Sequence, residues 1–418
     1  MRNIKKTKKI TVLFNDFSLI GLFGFIILFS SCTKENPIIL PSRTVIVYMV
    51  ANNNLDYFAY QNIKEMERGW DSTMGNLIVY IEGTANDNPA YPVVYKIQHD
   101  TTKYISSSIQ WVYPPQNSCS APVLSTVIND IEKEFPANSY GLILWSHGSG
   151  WYPPGTQIKS SSGQIVNTSS NSRIRLQTGI PAPYSIFKSF GVDGSNEMDI
   201  IDLKNALNQK FEFILFDACY MGCIEVAYEL RNKANYIISS PTEVLSYGFP
   251  YQTIVPYLFN EPFDATKIAS SYISSYQNQQ SSILQSASVS VVNTDQFSNL
   301  ISATNEIFSL ADTLYKVNSL QQLDVNNSDL LYDFGDLYNH LNISESMKQN
   351  LQKKFNALIP YKNSTSQILN ELTLNSYSGL SSYVLNQNDS ASFGYYKKLD
   401  WYKDSGYGKF LGRFTTTP

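Results

Sequence analysis

Cysteine and histidine are scarce in this chain, which has four of the first and three of the second in 418 residues. Four cysteines are too few for a disulfide scaffold. The three histidines sit in separate contexts, so no Cys/His cluster has the spacing of a zinc site. Charge is short as well: 31 Lys+Arg against 35 Asp+Glu leave a net charge of −4. That balance argues against a nucleic-acid partner, which calls for a basic surface. No Gly-x-Ser-x-Gly sequence follows an apolar strand, so the nucleophile elbow of a serine hydrolase is missing. There is no internal repeat.

What the chain does have begins with an address. Arg2, Lys5, Lys6, Lys8 and Lys9 make a basic start, and Leu19 to Phe29 is an apolar run of h-region length, short for a membrane span. Ser30-Ser31-Cys32 follows at once. This resembles a bacterial lipoprotein signal, with residues 1–32 removed up to a lipidated Cys32 and residues 33–43 as a tether containing Pro37 and Pro41. The competing reading is an uncleaved N-terminal anchor, against which Asn15 and Asp16 interrupt the apolar character. The resemblance implies a lipid-anchored protein of the bacterial cell envelope, at the outer membrane or cell surface, that meets the membrane through its lipid. With Cys32 so assigned, three cysteines remain and at least one thiol is free.

The most informative stretch is Phe211-Glu-Phe-Ile-Leu-Phe-Asp-Ala-Cys219-Tyr-Met-Gly-Cys-Ile-Glu-Val-Ala-Tyr-Glu-Leu230. Its first half is an apolar run of strand length, as in a strand buried on both faces. After Gly222, Ile224, Ala227, Tyr228 and Arg231 take helical spacing. Cys219 therefore sits at the carboxyl end of a strand and just before a helix, where open α/β sheets place ligand sites and where a helix dipole favours thiolate over thiol. Tyr140-Gly-Leu-Ile-Leu-Trp-Ser-His147-Gly-Ser-Gly-Trp151 repeats the form, delivering a histidine into a Gly-rich turn. A cysteine and a histidine on two strand ends are the minimum for a thiol nucleophile with its base.

Around these, strand and helix patterns alternate. Thr44–Val50, Asn76–Glu82 and Asn235–Ser240 read as strands, and Leu55–Arg68, Ala121–Phe135 and Met198–Leu207 as helices. Ala51-Asn-Asn-Asn54 reads as the turn capping the first helix. Tyr91–Gln98 and Ser108–Val112 read as a hairpin-type excursion. This is the α/β pattern of a mostly parallel sheet with helices on both faces. Residues 44–255 form one expected domain, within which 151–190 is rich in Ser, Asn, Gly and Pro and nearly without period. Residues 256–418 are expected to be a C-terminal subdomain completing that fold, with Ala287–Val292 and Tyr377–Val384 as strands, the latter packed on the main sheet, and Phe297–Leu314 as a helix.

Taken in order, the run from Val45 to Asn54, the His147-Gly-Ser-Gly turn, Asp217-Ala-Cys219-Tyr-Met221 and Gly379-Leu-Ser-Ser-Tyr383 resemble the clostripain family of cysteine peptidases, of the caspase-like clan. The resemblance implies a caspase-like α/β/α sandwich and a Cys-His dyad, with His147 as base and Cys219 as nucleophile. It further implies an oxyanion hole from the backbone N–H groups of Gly148 and Cys219, and Asp217 at the bottom of the S1 pocket. The implied substrate is a peptide or protein cut after Arg or Lys by a monomer. Family members of basic specificity present a further acid from the loop after the Cys strand; in Pro241–Tyr251 the only acid is Glu243. The same resemblance points to self-cleavage between His147 and Cys219, after Lys159, Arg173, Arg175 or Lys188, and suggests calcium, although no calcium loop can be assembled from spacing.

Rival readings stand beside these. Cys219 could be an inert buried thiol, Asp217 a helix cap, and Cys119, Cys223, His99 and His340 structural. Two other functions are compatible with parts of the pattern: a serine esterase, through the His147-Gly-Ser-Gly150 turn, and a non-catalytic cell-surface binding protein on a peptidase fold.

Overall fold

The computed structural model describes residues 40–84, 91–154, 156–157, 186–187, 189–312, 319–324, 331–385 and 390–415. Cys32, Lys159, Arg173, Arg175 and Lys188 lie outside the described residues, and with them the expected lipidation and cleavage points. Among the described residues no helix is long and apolar enough to cross a membrane.

Nine strands form the main sheet. In chain order they are β1 (Arg43–Ala51), β2 (Asn76–Gly83), β3 (Val93–Lys96), β4 (Ser108–Val112) and β5 (Ser139–Trp145), then, after four short strands described below, β10 (Phe211–Asp217), β11 (Ala234–Ser239), β12 (Ser288–Asn293) and β14 (Tyr361–Ser364). Their spatial order is β14-β12-β11-β10-β5-β1-β2-β3-β4. The central strands from β11 to β2 are parallel. Antiparallel strands close both sides, β3 and β4 at one and β12 and β14 at the other. Thus residues 288–293 and 361–364, far along the chain, extend the same sheet.

The β-rich composition of the central strands explains their place. β1 is buried along its whole length, as Val, Ile, Tyr and Met allow on a surface covered on both sides. Alternation divides its side chains between two cores. Ile46, Tyr48 and Val50 pack with Leu142, Leu144, Ile214 and Phe216 on one face. Val45, Val47 and Met49 pack with Ile143, Trp145, Phe213 and Leu215 on the other. Helices Ala121–Glu134, Ile200–Ala206, Ile224–Glu229, Phe297–Leu310 and Glu345–Leu358 cover the first face, and Asp56–Gly69, Tyr251–Leu258 and Ala265–Gln277 the second. Each fully buried aliphatic or aromatic side chain contributes roughly 2 kcal/mol. The α/β/α sandwich is therefore fixed by a period of two in the strands and a period near 3.6 in the helices.

The small strands sit between and around the site-bearing ones. β6 (Thr156–Gln157) pairs with β7 (Ile186–Phe187), and β8 (Phe190–Asp193) with β9 (Asn196–Met198). β13 (Leu331–Asp333) pairs with β17 (Ser381–Tyr383), and β15 (Gln367–Ile368) with β16 (Leu372–Thr373). The Tyr377–Val384 stretch thus gives only a three-residue strand, paired in its own small sheet and not on the main one. Its anchor is a buried acid: Glu225 Oε1 accepts from Ser382 Oγ at 3.0 Å, Tyr383 N at 2.9 Å and Tyr396 Oη at 2.9 Å. These bonds add to the pairing with β13 in holding the segment.

Candidate active site

β5 and β10 are adjacent and parallel, with Trp145 paired to Asp217. Two residues beyond that pair stand His147 on one strand and Cys219 on the other. Equal spacing from one register point brings both groups to the carboxyl edge of the sheet at the same level. They line one narrow cleft together with Leu55, Trp145, Asp217, Val244, Leu245, Ser246 and Gly248. The turn after β10 is sharp: Tyr220 has φ 61°, outside the usual range for a non-glycine residue. It is fastened to the segment after β11 by Tyr220 N to Thr242 O at 3.0 Å and Gly222 N to Ser240 O at 2.8 Å.

His147 is buried, and its Nε2 lies 2.8 Å from Asn54 Oδ1. The oxygen accepts, so Nε2 carries the proton in this arrangement. Asn54 closes a run of three asparagines that ties the end of β1 to the site. Asn52 Nδ2 donates to Asp193 Oδ1 at 2.8 Å, and Asn53 Nδ2 to Val192 O at 2.7 Å. Gly191 N donates to His147 O at 2.9 Å. The expectation that this turn caps the following helix is not met, since Leu55 stands at the helix start and no side chain caps it. Asn53 Oδ1 accepts from Leu55 N at 2.9 Å, while Asn54 turns to the imidazole. Sequence reading missed Asn54; a polar run at the carboxyl end of a central parallel strand was the available signal.

The Cys219 thiol is tied to the loop after β11. Val244 N donates to Sγ at 3.3 Å, and Sγ donates to Val244 O at 3.6 Å. Burial pushes the thiol up to about 12, aided by the charges of Glu243 and Asp217 and opposed by the Val244 bond. The expected thiolate-favouring helix dipole does not prevail here. The helix starts at Ile224, five positions on, and is six residues long, so its field has faded before the sulfur. Cys119, Cys219 and Cys223 are all free thiols.

Gly148 lies against the backbone of Cys219: a Cβ added there would come within 2.7 Å of Cys219 O. Among the described residues the N–H groups of Gly148 and Cys219 donate to no carbonyl. Asp217 is buried in the cleft wall, and its Oδ2 accepts from Phe249 N at 3.1 Å and Tyr251 Oη at 2.9 Å. Those partners come from the loop after β11 and the start of the next helix, not from the helix following Cys219, so the carboxylate does not cap it. Burial pushes Asp217 up to about 7, against the opposing pull of its two donors. Glu243 is buried and is not among the residues lining the cleft. Among the described residues no group of three or more His, Cys, Asp or Glu side chains is arranged to hold a metal ion.

Cys219 and His147 thus line one cleft at the carboxyl edge of an α/β/α sandwich, the architecture of the caspase-like cysteine hydrolases. The chain belongs to the clostripain family, whose model matches residues 47–175 and 184–413. Clostripain of Hathewaya histolytica is 25% identical over 240 residues, half of this chain and 41% of clostripain's own length. An inactive zymogen C11 protease from Parabacteroides distasonis superimposes with a TM-score of 0.71 at 32% identity, covering 88% of this chain and 99% of the other. A secreted C11 cysteine protease from Bacteroides thetaiotaomicron, solved with an irreversible peptide inhibitor, does so with a TM-score of 0.71 at 28% identity, again over 88% and 99% of the two chains.

Proposed function

We propose that the chain is an extracytoplasmic cysteine endopeptidase, carried on the envelope by a lipid at Cys32, that cleaves peptides after a basic residue. The observation that carries this reading is one cleft lined at once by Cys219, His147 and the buried acid Asp217. In the reaction the thiol proton passes to the imidazole and the sulfur attacks the scissile carbonyl carbon. The Gly148 and Cys219 N–H groups take the oxyanion, each such donor contributing about 3 kcal/mol in related chemistry. The protonated imidazole then gives its proton to the departing amine, leaving a thioester. Water, deprotonated by the same imidazole, cleaves the thioester and restores the thiol.

Asn54 orients the ring so that the nitrogen not bonded to it serves the sulfur. Asp217 attracts the cationic side chain before the scissile bond. The Bacteroides thetaiotaomicron relative, secreted and trapped by a peptide inhibitor, supports both the location and the substrate class. The zymogen form of the Parabacteroides distasonis relative supports maturation by a cut between His147 and Cys219. The test is a fluorogenic peptide library varied at the residue before the scissile bond, assayed with the full chain and with Cys219→Ala. Hydrolysis confined to Lys and Arg substrates and absent from the variant is expected. Hydrolysis that survives in Cys219→Ala would overturn the assignment.

A further inference from the structure

The cleft that holds Asp217 contains a second acceptor which no hydrogen bond occupies. Ser246 lines it, is 6% exposed, and has a hydroxyl buried without a partner. A buried hydroxyl left unsatisfied carries a desolvation cost, so a ligand group that bonds it recovers that cost. Asp217 is also only partly free. Its Oδ2 is engaged by Phe249 N–H and Tyr251 O–H, and no described residue donates to Oδ1. Gly248 lies flat on the carboxylate: an added Cβ would come within 2.4 Å of Oδ2 and 2.9 Å of Oδ1. The loop cannot easily give way. Gly248 O accepts from Tyr276 Oη at 2.7 Å, and Tyr247 O from Asn62 Nδ2 at 3.0 Å.

These constraints distinguish two cations. A guanidinium binds a carboxylate best through two parallel N–H bonds, one to each oxygen. Here one oxygen is already spent on two donors and the approach over the carboxylate is filled by backbone. An ammonium is a compact charge with three donors that need not lie in a plane. It can bond Asp217 Oδ1 without needing the second oxygen, while Ser246 lines the same cleft as a further acceptor, and Leu55, Trp145 and Leu245, which also line the cleft, suit its alkyl stem.

We infer that Ser246 and the single available oxygen of Asp217 form a lysine-selecting site, so that the enzyme cleaves after Lys in preference to Arg. The inference rests on the peptidase reading above, and it assigns Ser246 as a specificity-determining residue.

The experiment uses the full chain and its Ser246→Ala and Ser246→Thr variants on two peptide substrates identical except for Lys or Arg before the scissile bond. The readout is the Lys:Arg ratio of kcat/KM within each protein, which does not depend on the fraction folded. The unmodified chain is expected to favour Lys by about tenfold or more, a ratio that one buried hydrogen bond supplies. Ser246→Ala should bring the ratio towards unity, and Ser246→Thr, which keeps the hydroxyl, should retain a preference for Lys. An unmodified chain that favours Arg, or a ratio unmoved in Ser246→Ala, overturns the inference while leaving basic specificity standing. If both basic substrates resist while another peptide is cut in a Cys219-dependent manner, basic specificity itself falls, and the inference with it.

Discussion

Asn54 and His147 stand 93 positions apart in the chain, yet Oδ1 of one lies 2.8 Å from Nε2 of the other. The proposed Cys219–His147 pair thus gains a third group that fixes the tautomer and the plane of the ring. Removing it should leave substrate binding intact and spoil proton transfer. For Asn54→Ala we expect kcat to fall about a hundredfold, the scale of a misplacement near 1 Å, with KM changed little. Asn54→Gln should not rescue it, because the longer amide displaces its oxygen. Steady-state kinetics on one fluorogenic peptide decides this. A drop confined to KM would mean that Asn54 shapes the cleft and does not position the base.

The Cys219 thiol bonded to Val244 and held near 12 by burial is a poor nucleophile until something replaces that environment. A small alkylating agent such as iodoacetamide should therefore react with Cys219 at neutral pH about a hundredfold more slowly than with an exposed cysteine, the smaller thiolate fraction being partly offset by its greater nucleophilicity. A peptidyl ketone, which fills the cleft and brings its carbonyl to the N–H groups of Gly148 and Cys219, should label it quickly. Mass spectrometry of the two reactions in parallel gives the answer. Equal rates for iodoacetamide and an exposed thiol would show the nucleophile to be activated before substrate arrives.

Much of this was legible in the sequence, for identifiable reasons. β5 and β10 are apolar runs buried on both faces, and each ends in a chemically distinctive residue, so strand, end and group could all be read together. Helices such as Ala121–Glu134 announced themselves by period and were found within a residue or so of the expected bounds. The contributions of Asn54, Val244 and Ser246 were hidden because they depend on tertiary juxtaposition. Nothing local marks an asparagine after β1 as the partner of a histidine after β5. The segment ending in β17 read as part of the main sheet because its composition is strand-like. Its actual hold, pairing with β13 and three bonds to Oε1 of the buried Glu225, consists of long-range contacts that no spacing rule conveys.

The buried Asp217 gives the enzyme a pH dependence with a definite sign. Its folded value is raised from 3.8 to about 7, so between those limits the folded protein binds more protons than the unfolded chain. The stability associated with this group is present in full at low pH and is lost as pH rises through 7. Substrate binding runs the opposite way, because a cation before the scissile bond needs the ionised carboxylate. KM for a Lys substrate should rise by about tenfold for each pH unit below 7, while a substrate with a neutral isostere there should show no such trend. Asp217→Asn should abolish the trend for Lys. A KM for the Lys substrate that stays flat between pH 6 and 8 would count against the role given to Asp217.

Both sides of the segment that follows His147 are fastened to the fold by described contacts. Trp151 is fully buried, with its ring centroid 5.1 Å from that of Tyr383 and 4.8 Å from that of Tyr396. On the other end, Ser189 O accepts from Ser149 N at 3.2 Å, Ser189 Oγ donates to Tyr152 O, and β6 pairs with β7. A cut between residues 158 and 185 would leave these described contacts at both ends in place. We expect the full chain to convert on incubation into two fragments that co-elute in size-exclusion chromatography and separate only in denaturant. Cys219→Ala should remain one band. Adding a trace of active enzyme to Cys219→Ala separates cutting within a molecule from cutting between molecules. An unmodified chain that is fully active and still intact would show that maturation is not needed, and fragments that drift apart without denaturant would contradict the anchoring described for Trp151 and Ser189.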